Sequence, residues 1–312
     1  MKKILVTGGA GFVGSILVDQ LLNKNYIVRV LDNLMYGQTC HFPYFINKNF
    51  EFITGDIRSK KTVREALKGV DTILHLAAIV GAPACRENPK LAREVNTEGS
   101  KNINRLRSKN QPIVYASTGS LYGALNEICT EKSPTNPASL YGKTKFIAEK
   151  EIMEKGNSVA LRFATGFGIS QRLCLDFLLI NDFVYQACQK KQLIVYTKNL
   201  RRTFIHVQDM ARSYIFTLEN FKKMKDKIFN VGSEKMNFTK EEIALKIKEK
   251  IPYYLYFSDI GEDEDKRDYE VSYQKIRQVG FETKISLDEG IEELIKAFQS
   301  FPPKQLQSQI IK

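Results

Sequence analysis

Tyr141 and Lys145 stand four residues apart in Ser139-Leu140-Tyr141-Gly142-Lys143-Thr144-Lys145, after a loop marked by Pro134 and Pro137. Ser139 is placed to cap a helix that the pattern carries to about residue 153. On such a helix the two side chains share a face. The ammonium favours the phenolate, which brings the tyrosine toward the range a general base needs. Thr118 closes the strand-like run Pro112-Ile113-Val114-Tyr115-Ala116-Ser117-Thr118 and can bring a hydroxyl to the same reacting oxygen. A tyrosine and a lysine at this spacing are usually structural, so the pair needs company before it signifies catalysis.

That company stands near the start of the chain. Gly8, Gly11 and Gly14 recur at every third position in Thr7-Gly8-Gly9-Ala10-Gly11-Phe12-Val13-Gly14, directly after Ile4-Leu5-Val6. Glycines where a strand hands over to a helix permit a tight turn and a close approach of phosphate to backbone. The helix start supplies N–H groups and positive potential. Residues 16–22 read as that helix, and Ile27-Val28-Arg29-Val30-Leu31 as a second strand ending at Asp32. A carboxylate there accepts from a ribose and repels a 2′-phosphate, so NAD is expected over NADP. A nicotinamide dinucleotide beside a proton-transfer pair is the chemistry of an oxidoreductase.

The elements that must hold these groups alternate. Residues 50–53, 72–76, 112–116 and 159–163 read as strands, and 91–106 as a helix. The pattern predicts an α/β fold, a Rossmann doubly wound parallel sheet, with ligands collected at the carboxyl ends of its strands. Gly55-Asp56-Ile57, Ala77-Ala78 and Ser117-Thr118 fall at such ends. After Gly168 the alternation weakens, as expected of a smaller, interleaved C-terminal substrate subdomain. The expected division is an NAD-binding domain over 1–168 with a return segment at about 202–232, a substrate-binding subdomain over 169–201 and 233–301, and a tail over 302–312. Residues 173–189 and 239–250 read as helices. Thr239 with Glu242, and Ser286 with Glu289, form capping-box patterns.

Bulk properties narrow the partners. The 312 residues carry 47 Lys plus Arg against 35 Asp plus Glu, a net charge of +12. The lysines are interspersed with glutamates, as between 240 and 250, and no nucleic-acid motif accompanies them, so no nucleic-acid partner is expected. The positive field suits a diphosphate-bearing small substrate. No apolar run approaches a membrane span, so a cytoplasmic location without membrane attachment is expected. Cys40, Cys85, Cys129, Cys174 and Cys188 are odd in number and scattered, and read as reduced. His41, His75 and His206 are too separated for a local zinc motif, so no metal is expected.

The whole chain resembles an extended short-chain dehydrogenase/reductase of the nucleotide-sugar epimerase and dehydratase type. The resemblance rests on T-G-G-A-G-F-V-G, Asp56-Ile57, His75-Leu76-Ala77-Ala78, Asn96 in V-N-x-x-G, Tyr115-Ala116-Ser117-Thr118 before Leu121-Tyr122-Gly123, Y-G-K-T-K, Arg162-Phe163, and the segment from Arg202 to Asp209. It implies a catalytic triad of Thr118, Tyr141 and Lys145. It implies cofactor contacts from Gly8, Gly11, Phe12, Val13, Gly14, Asp32, Asn33, Asp56, Ile57, Leu76, Ala77, Ala78 and Asn96, besides Tyr141 and Lys145. It implies substrate contacts from Thr118, Ser120, Thr165, Arg202 and Arg267, the two arginines meeting a diphosphate. It also implies a homodimer through a four-helix interface, or a tetramer built on it.

Departures from the family pattern sort the reactions. The acid pair that follows the catalytic Thr in 4,6-dehydratases is Gly119-Ser120 here, and the Cys and His of the 3,5-epimerase/reductases align with Ser120 and Ser170. The R-Y-F-N of galactose epimerases is Arg162-Phe163-Ala164-Thr165. What remains by this resemblance needs only Tyr, Lys, Thr and NAD: oxidation or reduction at a sugar hydroxyl, most often that of the fourth carbon, with oxidation of the 4-hydroxyl of an NDP-hexose or GDP-heptose expected. Residues 162–176 and 261–269 are similar to capsule-biosynthesis enzymes that act on GDP-heptoses as 4-dehydrogenases. A 4-epimerase with the same residues stays open, as does a redox-inactive NAD-binding regulator.

Overall fold

Ile4, Leu5 and Val6 have no exposed surface, and Ile73-Leu74 and Val159-Ala160-Leu161 repeat the pattern. Runs buried on both faces require a parallel sheet covered by helices on either side. The computed structural model describes residues 1–123, 127–172, 178–258 and 269–301. Strands β1 (Lys3–Thr7), β2 (Ile27–Asp32), β3 (Phe50–Thr54), β4 (Thr72–His75), β5 (Ile113–Thr118), β6 (Ser158–Phe163) and, late in the chain, Lys227–Val231 form that sheet. Its order, with the late strand first, is Lys227–Val231, β6, β5, β4, β1, β2, β3, and every pairing is parallel. The order reverses beside β1, which neighbours β2 on one side and β4 on the other. The crevice at this reversal is where doubly wound sheets bind ligands.

Helices α1 (Phe12–Asn23), α2 (Lys60–Leu67), α3 (Ala82–Glu87), α4 (Pro89–Arg93), α5 (Ser100–Leu106) and α6 (Leu140–Lys155) follow the strands in turn. The helix expected over 91–106 is made of α4 and α5 joined by a wide π turn, Glu94–Gly99. One core lies between the sheet and α1, and the opposite core holds Ile103 of α5 and Ala148 and Ile152 of α6. The remaining helices are α7 (Leu179–Tyr185), α8 (Val207–Glu219), α9 (Phe221–Met224), α10 (Lys240–Lys250), α11 (Gln274–Val279) and α12 (Leu287–Ser300). Both capping boxes form, Thr239 with Glu242 at α10 and Ser286 with Glu289 at α12. Residues 173–177, where the expected 173–189 helix begins, lie outside the described residues.

Away from the large sheet a separate, third core is built from Phe167, Phe183, Val184, Phe204, Ile243, Ile247, Ile291 and Leu294. It is organised by two small sheets. Strands β7 (Thr165–Phe167), β9 (Arg201–His206) and β11 (Asn237–Thr239) form one, and β8 (Gln192–Tyr196) and β12 (Tyr254–Ser258) the other; the late strand of the large sheet is β10. The return segment therefore divides. Arg201–His206 pairs with β7 and β11, while β10 pairs with β6 and Met210, Ala211 and Tyr214 of α8 enter the large-sheet core.

Gly168 lies within this separate core, between Phe167 and Ile169, which both pack there. Its φ is +113°, a conformation that side chains disfavour, and an added Cβ would lie 2.3 Å from His206 Nε2. The Asn181 amide accepts from the Gly168 N–H at 3.0 Å and donates to its carbonyl at 2.8 Å. His206 Nε2 meets Glu293 at 2.8 Å, and the same Glu293 oxygen accepts from the Ile169 N–H.

Candidate active site

The glycine string makes backbone packing that no side chain could enter. Gly8 has φ +70°, and a Cβ there would sit 2.7 Å from the Ala77 backbone; a Cβ on Gly14 would lie 2.3 Å from the Gly8 carbonyl oxygen. The turns after β1 and β4 thus touch chain to chain. Gly11 caps α1 without a side-chain bond. The first helical N–H groups, Phe12, Val13 and Gly14, are therefore presented to an anion. A dinucleotide pyrophosphate fits this cradle.

Asp32 stands at the end of β2, 9% exposed. Its Oδ2 accepts from the Ala10 N–H at 3.0 Å and its Oδ1 from the Leu34 N–H at 2.9 Å. Each oxygen keeps a lone pair for a ribose hydroxyl. Asn33 donates to Asp56 at 3.2 Å, and Asp56 also binds Arg58, which reaches on to Glu94. Burial pushes the Asp56 carboxyl up, but the bonds from Arg58 and Asn33 outweigh it and hold the group below its ordinary range. Ile57 is buried against Gly99. A cavity of about 410 Å³ opens here, lined by Asp56, Arg58, Ser59, Glu94, Glu98 and Asn102.

The reacting end is set by the meeting of β5 and α6. Ser139 caps α6 by accepting from the Gly142 N–H at 3.1 Å. Gly142 is needed, since a Cβ would lie 2.9 Å from both the Ser120 carbonyl oxygen and Pro137. This contact seats the first turn, with half-buried Tyr141, against the Thr118–Ser120 turn. Thr118 Oγ1 donates to Ser120 Oγ at 3.2 Å and accepts from the Ser120 N–H at 3.2 Å. Lys145 is 2% exposed, with its ammonium 4.2 Å from the centre of the Tyr115 ring. Burial pulls it down to about 7, against the charge of Glu149 and the neighbouring Cys85. A side chain at Gly119 would meet the Tyr269 hydroxyl at 3.1 Å. Tyr269 thus fills the space beside Thr118 where the dehydratase pattern has an acid.

Behind this face His75 and Asn96, both in the quoted motifs, meet partners that the sequence does not reveal. His75 Nδ1 lies 2.6 Å from Thr7 Oγ1 and Nε2 lies 2.9 Å from Ser100 Oγ. The Ser100 hydroxyl donates to the Asn96 carbonyl at 2.7 Å, so Nε2–H must donate to Ser100 and Nδ1 must accept from Thr7. Burial and Lys145 hold His75 down to about 3, hence neutral. The Asn96 amide accepts from the Ile79 N–H and donates to the Ile79 carbonyl and Thr144 Oγ1. It thereby pins the turn holding Leu76, Ala77 and Ala78 to α6, and the fully buried amide is engaged in these bonds instead of the cofactor contact that the resemblance implies for Asn96. His41 lies 2.8 Å from the Gly9 carbonyl and braces the glycine turn from outside. Glu149, four residues beyond Lys145, is buried with Arg162. Its spacing on the Tyr141–Lys145 face is the one sequence signal of its place.

Of the expected substrate residues, Ser120 and Arg202 are buried, and Thr165 is half-buried two residues beyond Phe163, which pairs with Thr118. Arg202 is on β9, in the second sheet. Arg267 lies outside the described residues. Among the described residues no cluster of His, Cys, Asp or Glu could hold a metal ion, and no helix is long and apolar enough to cross a membrane.

Known proteins share this arrangement. Residues 4–232 match the model of the NAD dependent epimerase/dehydratase family. A relative from Methanocaldococcus jannaschii, provisionally named a UDP-glucose 4-epimerase, is 31% identical over 94% of this chain and 97% of its own. UDP-glucuronic acid decarboxylase 1 of Arabidopsis thaliana is 31% identical over 96% of this chain and 70% of its own. The crystal structure of a Thermus thermophilus UDP-glucose 4-epimerase complex with NAD superposes with a TM-score of 0.84, at 26% identity, covering 95% of this chain and 99% of that one. The chain is a member of the NAD-dependent epimerase/dehydratase family, an enzyme family of extended short-chain type that works on nucleotide sugars.

Proposed function

We propose that the protein oxidises the 4-hydroxyl of a nucleotide-linked sugar with NAD, with Tyr141 as base, Lys145 as its electrostatic partner and Thr118 as a second hydrogen-bonding group on the reacting oxygen. The observation that carries this is the seating of Tyr141 against the Thr118–Ser120 turn, with Lys145 buried one helical turn further on. NAD would be held by the first turn of α1, by Asp32 and by the Asn33–Asp56 pair, and supplies the hydride acceptor. Lys145 lowers the cost of the phenolate at Tyr141, which takes the hydroxyl proton. Thr118 keeps the sugar oxygen aimed at Tyr141. Ser120 and Thr165 flank the sugar, and Arg202 binds the diphosphate with Arg267, as guanidinium groups suit.

The UDP-glucose 4-epimerase relatives favour an outcome in which the ketone is reduced again on the opposite face, giving a 4-epimerase. The likeness of 162–176 and 261–269 to GDP-heptose 4-dehydrogenases of surface polysaccharide synthesis favours release of the keto sugar. Mass spectrometry after incubation with UDP-, dTDP-, CDP- and GDP-sugars separates the two. An isomer of unchanged mass marks the epimerase, and a product two mass units lighter (~2 Da, one hydride and one proton) marks the dehydrogenase. Tyr141→Phe removes the base and keeps the ring, with an expected rate loss of ~10²–10⁴. A Tyr141→Phe enzyme that keeps its activity refutes the assignment. We further infer a homodimer, or a higher assembly built on it, through residues 91–107 and 141–153, where Ile147 of α6 is 46% exposed. A monomer by light scattering at micromolar concentration refutes it.

A further inference from the structure

We propose that Glu149 is a positioning residue for the proton-transfer pair, its carboxylate keeping Lys145 charged and so setting how readily Tyr141 releases its proton. This rests on the roles given to Tyr141 and Lys145 above. On α6, residues 141, 145 and 149 follow at four-residue steps and stack on one face, the face turned to β5. Lys145 and Glu149 are each 2% exposed. A carboxylate so deep must be paired and hydrogen-bonded to stay ionised. Arg162 of β6 supplies a two-pronged contact, Nε to Oε2 at 3.0 Å and Nη2 to Oε1 at 2.6 Å, and Ser117 Oγ donates to Oε2 at 2.5 Å. Ser117 and Arg162 are register partners in the sheet, so both hold the carboxylate from one rung. Arg162 Nη1 continues away to the Tyr122 hydroxyl at 3.1 Å, which donates to Asn230 at 2.6 Å.

The other groups around the pair carry no charge at neutral pH. From β4, His75 is neutral. From α3, burial pushes the Cys85 thiol up to about 11. From β5, Tyr115 offers its ring and is held well above its ordinary range by burial, as is Tyr214 of α8. Among the neighbours named here the charged ones are Glu149 and the Arg162 paired to it, and the Glu149 carboxylate opposes the burial that would discharge Lys145. A bridge that served only to join α6 to the sheet would do so equally well as a packed apolar pair.

Glu149→Gln keeps the shape and removes the charge. With the full-length enzyme at saturating NAD and sugar, the acid limb of the kcat profile is expected to move to higher pH by about one unit. That corresponds to roughly tenfold lower kcat near pH 7, with the gap closing at alkaline pH. A purely structural defect instead scales the whole profile and leaves the limb in place, and that result overturns the proposal. Because Glu149→Gln leaves Arg162 without its counter-charge, the double variant Glu149→Gln/Arg162→Met is run beside it. It removes the guanidinium together with the carboxylate, so it is expected to fold and to show a smaller displacement in the same direction; an unmoved limb in folded Glu149→Gln is decisive against the idea. Tyr141→Phe in the same assay separates the two levels. If it is inactive and the Glu149→Gln limb is unmoved, Glu149 alone is misassigned. If it is active, the base assignment itself fails.

Discussion

The two ends of the cofactor groove are built on different physical terms. At the reacting end, His75, Lys145 and Glu149 are all but fully buried, and His75 and Glu149 are bonded to other parts of the protein. Protonation states there are imposed by burial and by near neighbours. At the adenosine end, Asp56, Arg58 and Glu94 form a chain of ion pairs with side chains 23%, 40% and 38% exposed. Water and salt screen that end, so no single pair there contributes much. On the proposed roles the proton transfer belongs to the dry part, and beyond the buried Asp32 the far end of the cofactor meets the more exposed part.

Lys145→Met should have the largest effect, about 10²–10⁴ in kcat, together with weaker NAD binding measured by titration. A loss confined to binding would place the reacting end on the same footing as the adenosine end. Next, Gly14→Ala forces a methyl against the Gly8 carbonyl. Such overpacking costs about 1–3 kcal/mol, read as the disappearance of NAD-induced thermal stabilisation. The buried end should also leave a mark on stability against pH. His75 in the fold is held down to about 3 from 6.5, so the unfolded chain binds a proton that the native state refuses. Its contribution is intact above pH ~6.5 and declines as pH falls toward ~3, by up to ~1.4 kcal/mol per unit. Urea titrations of His75→Gln should show a shallower slope across that window. The smallest effect belongs to Arg58→Ala, within ~1 kcal/mol in NAD affinity and fading as salt is raised. A loss at Arg58 to rival that at Lys145 would break the contrast between the ends.

The framework of the molecule could be read from the chain because its signals are local. A strand, three spaced glycines, a helix, a strand and Asp32 lie within 32 residues, and Ser139, Thr239 and Ser286 announce their helices within one turn. What escaped is settled by partners distant in sequence. Glu149 on α6 looks like one more solvated charge until β6 brings Arg162 beneath it. His75 reads as the end of a strand until Thr7 and Ser100 close on both its nitrogens. The short strands β7, β8, β11 and β12 exist through their pairing with distant segments, and β8 and β12 alternate or stay half-exposed, so no continuous apolar run marks them. The π turn at Glu94–Gly99 has no counterpart in a 3.6-residue period, which is why 91–106 reads as unbroken helix.

Gly168 is a glycine just past the end of β7, a place where a pivot is commonly sought. Here the residue is hemmed in by the His206 imidazole and gripped on both sides of its peptide by the Asn181 amide. Turning the chain about this point would break two buried bonds and drive the backbone into a ring. The turn is a weld. The path of the chain from Phe167 to Ile169, and with it the seat of α7 and of the His206 ring, is therefore set when the chain folds.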